Sequence, residues 1–134
     1  MTATTKEQSA RLLSIGILPE TADLYLERSN IPEAAEYYIH TIPNKIDKKH
    51  WFSVRMNKDI IPAWSLSALI EVLPIGVKRN KTDAAFGIYR EFNGMWTITY
   101  PGFYFTEATD PIEACVLMIE KLNKKGLQIK QIRR

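Results

Sequence analysis

The sequence predicts an α+β domain in which a three-stranded antiparallel meander over about 85–107 is packed by a helix at 110–125. Short helices near the N-terminus and a helix at 65–73 complete it. Three observations carry this reading. Asn93-Gly94 stands between two runs of alternating apolar residues, the strongest short-range hairpin signal. Pro101-Gly102 marks a second reversal one strand later. Asp110-Pro111-Ile112-Glu113 then opens a helical stripe of Ile112, Cys115, Val116, Ile119 and Leu122.

The elements follow in order. Thr5-Lys6-Glu7-Gln8 has capping-box spacing, and Gly16 is placed to end the helix that it starts. Leu18-Pro19-Glu20-Thr21 restarts the chain, with Ala22, Tyr25 and Leu26 as the apolar side of a second short helix ending near Ser29-Asn30. Residues 31–62 are broken by Pro32, Pro43 and Pro62. Two apolar runs there, Tyr37-Tyr38-Ile39 and Trp51-Phe52-Ser53-Val54, each suit a strand. The proline spacing nevertheless predicts irregular structure with at most one paired strand. Ser65 caps a helix whose face is Leu66, Leu69, Ile70 and Leu73, and Pro74 stops it. Gly76 to Asp83, with Lys78-Arg79-Asn80-Lys81, reads as a mobile basic connector.

A two-residue turn at Asn93-Gly94 pairs Phe92 with Met95, Glu91 with Trp96, Tyr89 with Ile98 and Gly87 with Tyr100. If two residues also suffice at Pro101-Gly102, Tyr100 faces Phe103 and Ile98 faces Phe105. Period-two alternation then gathers Tyr89, Trp96, Ile98, Tyr100, Phe103 and Phe105 on one aromatic face. The other face carries Phe86, Ile88, Arg90, Thr97, Thr99 and Tyr104. The helix at 110–125 covers the aromatic face, each buried stripe residue contributing on the order of 1.5–3 kcal/mol before entropy. Gly126 stops that helix, and Leu127-Gln128-Ile129 suits a short strand.

A chain of 134 residues fits a single domain. Within it, 1–62 forms a helical and irregular N-terminal part, 63–126 an α-β-β-β-α unit, and 127–134 a basic tail. One cysteine, Cys115, excludes an internal disulfide and favours a reducing compartment. The polar stretch Met1 to Gln8 and the absence of a long apolar run speak against secretion and membrane insertion, so a cytoplasmic location is expected. The net charge of +3 is segregated: −3 over 1–44, +5 over 45–81, −5 over 82–120 and +6 over 121–134.

No catalytic, metal or cofactor constellation stands out. His40 and His50 lack the partners of a metal site, and Cys115 lies on an apolar helical stripe. Glu107, Asp110 and Glu113 cluster at a helix start, where capping and the helix dipole account for two of them. The glycines match no phosphate-binding loop. The expectation is therefore no enzyme and no cofactor. Candidate contacts to nucleic acid or an acidic partner are the basic residues Lys78, Arg79 and Lys81 of the connector and Lys124, Lys125, Lys130, Arg133 and Arg134 of the C-terminus. Helix, three strands and helix is also the element order of double-stranded RNA-binding domains. Their second helix opens with a basic cluster, whereas Asp110-Pro111-Ile112-Glu113 would repel phosphates.

Two resemblances add to this. Gly94-Met95-Trp96-Thr97-Ile98-Thr99-Tyr100-Pro101 followed by Thr109-Asp110-Pro111-Ile112-Glu113-Ala114 is similar to antitoxins of the HicB type, which share a meander, a proline after its central strand and a helix opening with a Glu-Ala pair. Leu18-Pro19-Glu20-Thr21-Ala22-Asp23, Pro62-Ala63-Trp64-Ser65-Leu66-Ser67-Ala68-Leu69 and Asp110-Pro111-Ile112-Glu113-Ala114 together resemble small proteins of Bacteroides-type bacteria, their phages and mobile elements. The second resemblance implies an origin and an architecture but no activity. The functional expectation is a non-enzymatic accessory protein acting through a protein partner or as a homodimer. The alternative is an antitoxin-like or nucleic-acid-binding regulator using the basic connector and tail.

Overall fold

The computed structural model describes residues 2–29, 36–56, 60–79 (Arg79 by its backbone alone) and 82–127. It is an α+β fold built from four helices and three antiparallel sheets among these residues. Helix α1 (Lys6–Ser14) starts as its sequence dictates. The Thr5 hydroxyl accepts from the Gln8 amide, while the Gln8 side chain accepts from the Thr5 amide. Gly16, at φ +95°, follows the C-cap residue Ile15.

After a single 3₁₀ turn at Pro19–Thr21, the expected second helix is instead strand β1 (Leu24–Arg28). It is the central strand of a sheet, flanked by β2 (Tyr37–Thr41) and β3 (Ile60–Ala63). Leu24 and Leu26, two residues apart, are buried on one face, while Tyr25 and Glu27 turn to the other. Period two decides the matter, and two neighbouring strands satisfy the backbone groups that a helix would satisfy internally. Two strands therefore pair within 31–62, where at most one was expected. Pro62 is tolerated because β3 lies at the sheet edge. The second apolar run forms helix α2 (Lys48–Arg55), not a strand, because Asp47 caps it by accepting from the His50 amide.

Helix α3 (Leu66–Val72) is capped by Ser65, whose hydroxyl accepts from the Ala68 amide. The described residues of the basic connector form strand rather than loop. Strand β4 (Gly76–Arg79) pairs with β5 (Thr82–Ala85), with Val77 and Ala84 opposite each other and buried. Pairing with its own return strand supplies the hydrogen bonds that its composition concealed.

The meander is β6 (Gly87–Arg90), β7 (Trp96–Tyr100) and β8 (Tyr104–Ala108), in that order across the sheet. Both registers differ from the expected ones by one residue. Ile88 faces Ile98, Arg90 faces Trp96, Tyr104 faces Tyr100 and Thr106 faces Ile98. The first turn is not type I′, since Asn93 lacks the positive φ that such a turn needs. Gly94, at φ +87°, donates to Glu91 O, and Glu91 N donates to Met95 O, leaving a three-residue loop. At the second turn Phe103 N donates to Tyr100 O across Pro101 and Gly102, whose φ of +84° fits the third position of a type II turn. Each slip exchanges faces: Ile88 and Tyr104 pack inward, whereas Tyr89 and Phe105 point out. Trp96, Ile98 and Tyr100 keep the expected inward face.

Helix α4 (Pro111–Lys124) lies on that inward face, and the Thr106 hydroxyl donates to Ala114 O. Asp110 caps it and Gly126 follows its last turn. One buried cluster runs from Leu12 through Phe52, Trp64, Leu69, Ile98 and Tyr100 to Leu122. A smaller one, Leu24, Leu26 and Ala63, lies beneath Ala3, Tyr37, Ile39 and Ile61. No helix among the described residues is long and apolar enough to cross a membrane.

Candidate interaction surfaces

The basic residues named by the sequence are not gathered into one phosphate-binding surface by the described structure. Lys78 is exposed on β4 and stands opposite Asp83 in register. Arg79 stands opposite Thr82. Lys81, Lys130, Arg133 and Arg134 lie outside the described residues. Lys124 and Lys125 do meet, in a groove of about 530 Å³ between α4 and the β8 edge, with Lys121, Leu117, Thr106, Glu107 and Glu120. Lys121 is already engaged: its Nζ donates to Phe105 O at 3.1 Å and sits 5.6 Å above the Phe105 ring. Glu107 and Glu120 share the groove, so its charge is mixed. Such a surface holds phosphates poorly.

Groups capable of chemistry are largely accounted for by folding. Cys115 is fully buried, and burial, followed by the Asp110 charge, pushes its thiol up to about 12. Burial also raises Tyr100, whose hydroxyl donates to Pro74 O at 2.6 Å. Glu113 has a partner that the sequence did not disclose. It accepts from Arg11 and from the Gln8 side chain, while Arg11 also reaches Glu120 one face-repeat along α4. This fork holds the Arg11 guanidinium above its already high pKa, the Glu120 and Glu113 hydrogen bonds being the main causes. It clamps α1 to α4. No group of three or more His, Cys, Asp or Glu among the described residues is placed to hold a metal ion. Neither histidine lines any concavity described here.

Two surfaces remain. The first is the outer face of the meander. Tyr89 and Phe105 are 49% and 58% exposed on its two edge strands, with the buried Thr97 and the half-buried Thr99 on the central strand between them. The threonines are internally satisfied: Thr97 donates to Glu91 and Thr99 to Tyr104 O. Phe92 projects fully exposed from the first turn. Beside it Tyr89, Arg90, Glu91, Phe92 and Asn93 line a concavity of about 610 Å³. Comparison with protein-family models, curated proteins and solved structures finds no match for this chain.

The second surface is the α2 side of the β2–β1–β3 sheet. Tyr25 and His40, directly opposite in register, stack at 5.1 Å with an interplanar angle of 23°. Trp51 of α2 meets Tyr25 at 4.9 Å, and the Arg55 guanidinium lies 5.1 Å over the Trp51 ring. Glu27 faces Tyr38 across the ladder and approaches His40 Nε2 to 3.5 Å. Burial first, then the Glu27 charge, raises the Tyr25 hydroxyl, with Arg55 opposing. Sequence reasoning noticed the apolar runs that supply Tyr38 and Trp51, but it placed Tyr25 on a helix and did not foresee the assembly. The period-two spacing of Leu24 and Leu26 was the available signal, since it places Tyr25 on the opposite face.

Proposed function

We propose that the protein is a cytoplasmic, non-enzymatic accessory protein that acts by protein–protein contact through the outer face of the meander. The observation that carries this is the exposure of Tyr89, Phe92 and Phe105 on a sheet whose central-strand threonines, Thr97 buried and Thr99 half-buried, already have their hydrogen bonds made. Folding gains nothing from leaving three large rings in water, and aromatic anchors of this kind dominate protein interfaces. The surface offers shape and apolar area rather than a nucleophile or a base. The connector-and-tail reading gains less, because acidic partners interrupt the described basic residues.

Sedimentation equilibrium over a wide concentration range tests the proposal, together with pull-down from the native host. A dimer or a recovered partner is expected, and Phe92→Ser or Phe105→Glu should abolish it with the circular dichroism spectrum unchanged. A monomer at all concentrations that also recovers nothing contradicts the proposal.

A further inference from the structure

The meander ends in two edge strands, β6 and β8, and only one of them is guarded. At β8 the Lys121 ammonium donates to Phe105 O, and a lysine laid over an edge carbonyl keeps a further strand off. At β6 the ladder fixes where each backbone group points. Glu91 N donates to Met95 O, so by alternation Gly87, Tyr89 and Glu91 are the residues that bond to β7. The N–H and C=O groups of Ile88 and Arg90 therefore point away from it. Among the described residues none of these four groups has a hydrogen-bond partner. Two residues earlier the same outer side is taken, because Phe86 N donates to Ile75 O where the chain enters β4. The open edge is thus short, closed by Ile75 at one end and flanked by the turn at Phe92 on the other.

We propose, building on the contact function above, that β6 pairs antiparallel with β6 of a second copy, joining two meanders into one six-stranded sheet. The edge selects this occupant. A long foreign strand would run into Ile75, so only a strand that turns away after two or three residues fits, and β6 itself turns away at Phe92. Register narrows the pairing further. In a two-fold arrangement outward groups must meet outward groups, so the axis passes a whole residue. An axis at Ile88 sets Arg90 against Phe86, whose amide is already spent on Ile75. An axis at Arg90 sets two guanidinium side chains directly opposite each other, which is repulsive. An axis at Tyr89 meets neither obstacle. Ile88 then bonds with Arg90 of the second copy, twice over, and the two Tyr89 rings stand side by side on the outer face. Phe92 falls opposite Phe86 of the second copy, the position that Ile75 flanks. Phe92 is fully exposed and Ile75 is 76% exposed, and this pairing lays one on the other at both ends. Ile75, Tyr89 and Phe92 are three of the six exposed large apolar side chains among the described residues, so the pairing covers half of them.

Sedimentation equilibrium of the full chain should show a monomer–dimer equilibrium. Arg90→Pro tests the backbone directly. An edge strand tolerates proline where its N–H faces outward, and here that N–H serves only the second copy. Each dimer would lose two hydrogen bonds, weakening association by about tenfold or more with the circular dichroism spectrum unchanged. Ile75→Ser should weaken it as well. Tyr89→Cys should form a disulfide between copies under a mild thiol oxidant, because opposed residues of a non-hydrogen-bonded pair bring their Cα atoms to about 4.5 Å. Phe105→Cys, equally exposed but two strands away, should form none, and the buried Cys115 does not compete. A monomer at every concentration overturns the pairing. If that monomer still recovers another protein through Phe105, the contact function stands alone; if it recovers nothing, both fall. A dimer left intact by folded Arg90→Pro, or linked by Phe105→Cys as readily as by Tyr89→Cys, overturns the edge pairing and leaves the contact function in place. If Arg90→Pro does not fold, Ile75→Ser and the two cysteine variants decide the matter.

Discussion

At the residue scale, the chain's conspicuous reactive groups are those most fully used by the fold. Cys115 shows why. Its thiol lies within the cluster formed by α4 and the meander, and both apolar burial and the Asp110 carboxylate oppose a thiolate. A disulfide reagent at mildly alkaline pH should therefore leave the native protein unmodified and label it promptly in denaturant, read by thiol titration. The same shift sets a pH dependence. The folded thiol holds its proton to about 12, whereas its ordinary value is 9.0, so an unfolded chain ionises first. That contribution is intact below pH 9, shrinks as pH rises between 9 and 12, and is fully lost above 12. Denaturant midpoints should fall across that window. Rapid labelling of the native state at neutral pH contradicts the assignment.

At the element scale, what was legible depended on whether an element's partners were near in sequence. Helices α1, α3 and α4 carry their caps within four residues, Thr5 with Gln8, Ser65 with Ala68 and Asp110 with Ile112, and all three stand where the sequence put them. Strand β1 is defined by Tyr38 and Ile60 opposite Glu27, partners that no local window contains. Its residues accordingly resembled a short amphipathic helix. The meander lies between these cases. Its strands and turns were visible, but the one-residue slip at each turn depended on φ at Asn93 and on the type II reversal at Pro101-Gly102. That slip decided the candidate interaction surface, because it exposed Tyr89 and Phe105. Gly94 is the pivot. A Cβ there would approach only the end of Arg90, at 4.0 Å, so Gly94→Ala should cost about 1 kcal/mol through its positive φ alone. Urea unfolding checks this. A neutral result means that the turn is not held in this conformation.

At the scale of the whole molecule, the parts separated in sequence share one core, and Trp64 is where they meet. Its ring is fully buried, and its Nε1 donates to the Thr21 hydroxyl at 2.9 Å. Its backbone amide donates to the Thr4 hydroxyl and its carbonyl accepts from the Thr4 amide, fastening the N-terminal segment alongside the start of α3. Arg11 repeats the theme from the other side by clasping Glu113 and Glu120. Partial exposure of that clasp limits it to roughly 1 kcal/mol, so burial around Trp64 outweighs it. Trp64→Ala should therefore cost about 3–5 kcal/mol. The loss should also fall on both halves together. Unfolding followed by far-ultraviolet circular dichroism and by hydrogen exchange of β7 and α4 amides should shift to the same lower midpoint in the variant. Protection in β7 and α4 persisting after the β2–β1–β3 sheet has melted would show two independently stable units. The shared cluster from Leu12 to Leu122 would then be a contact between them rather than a common core.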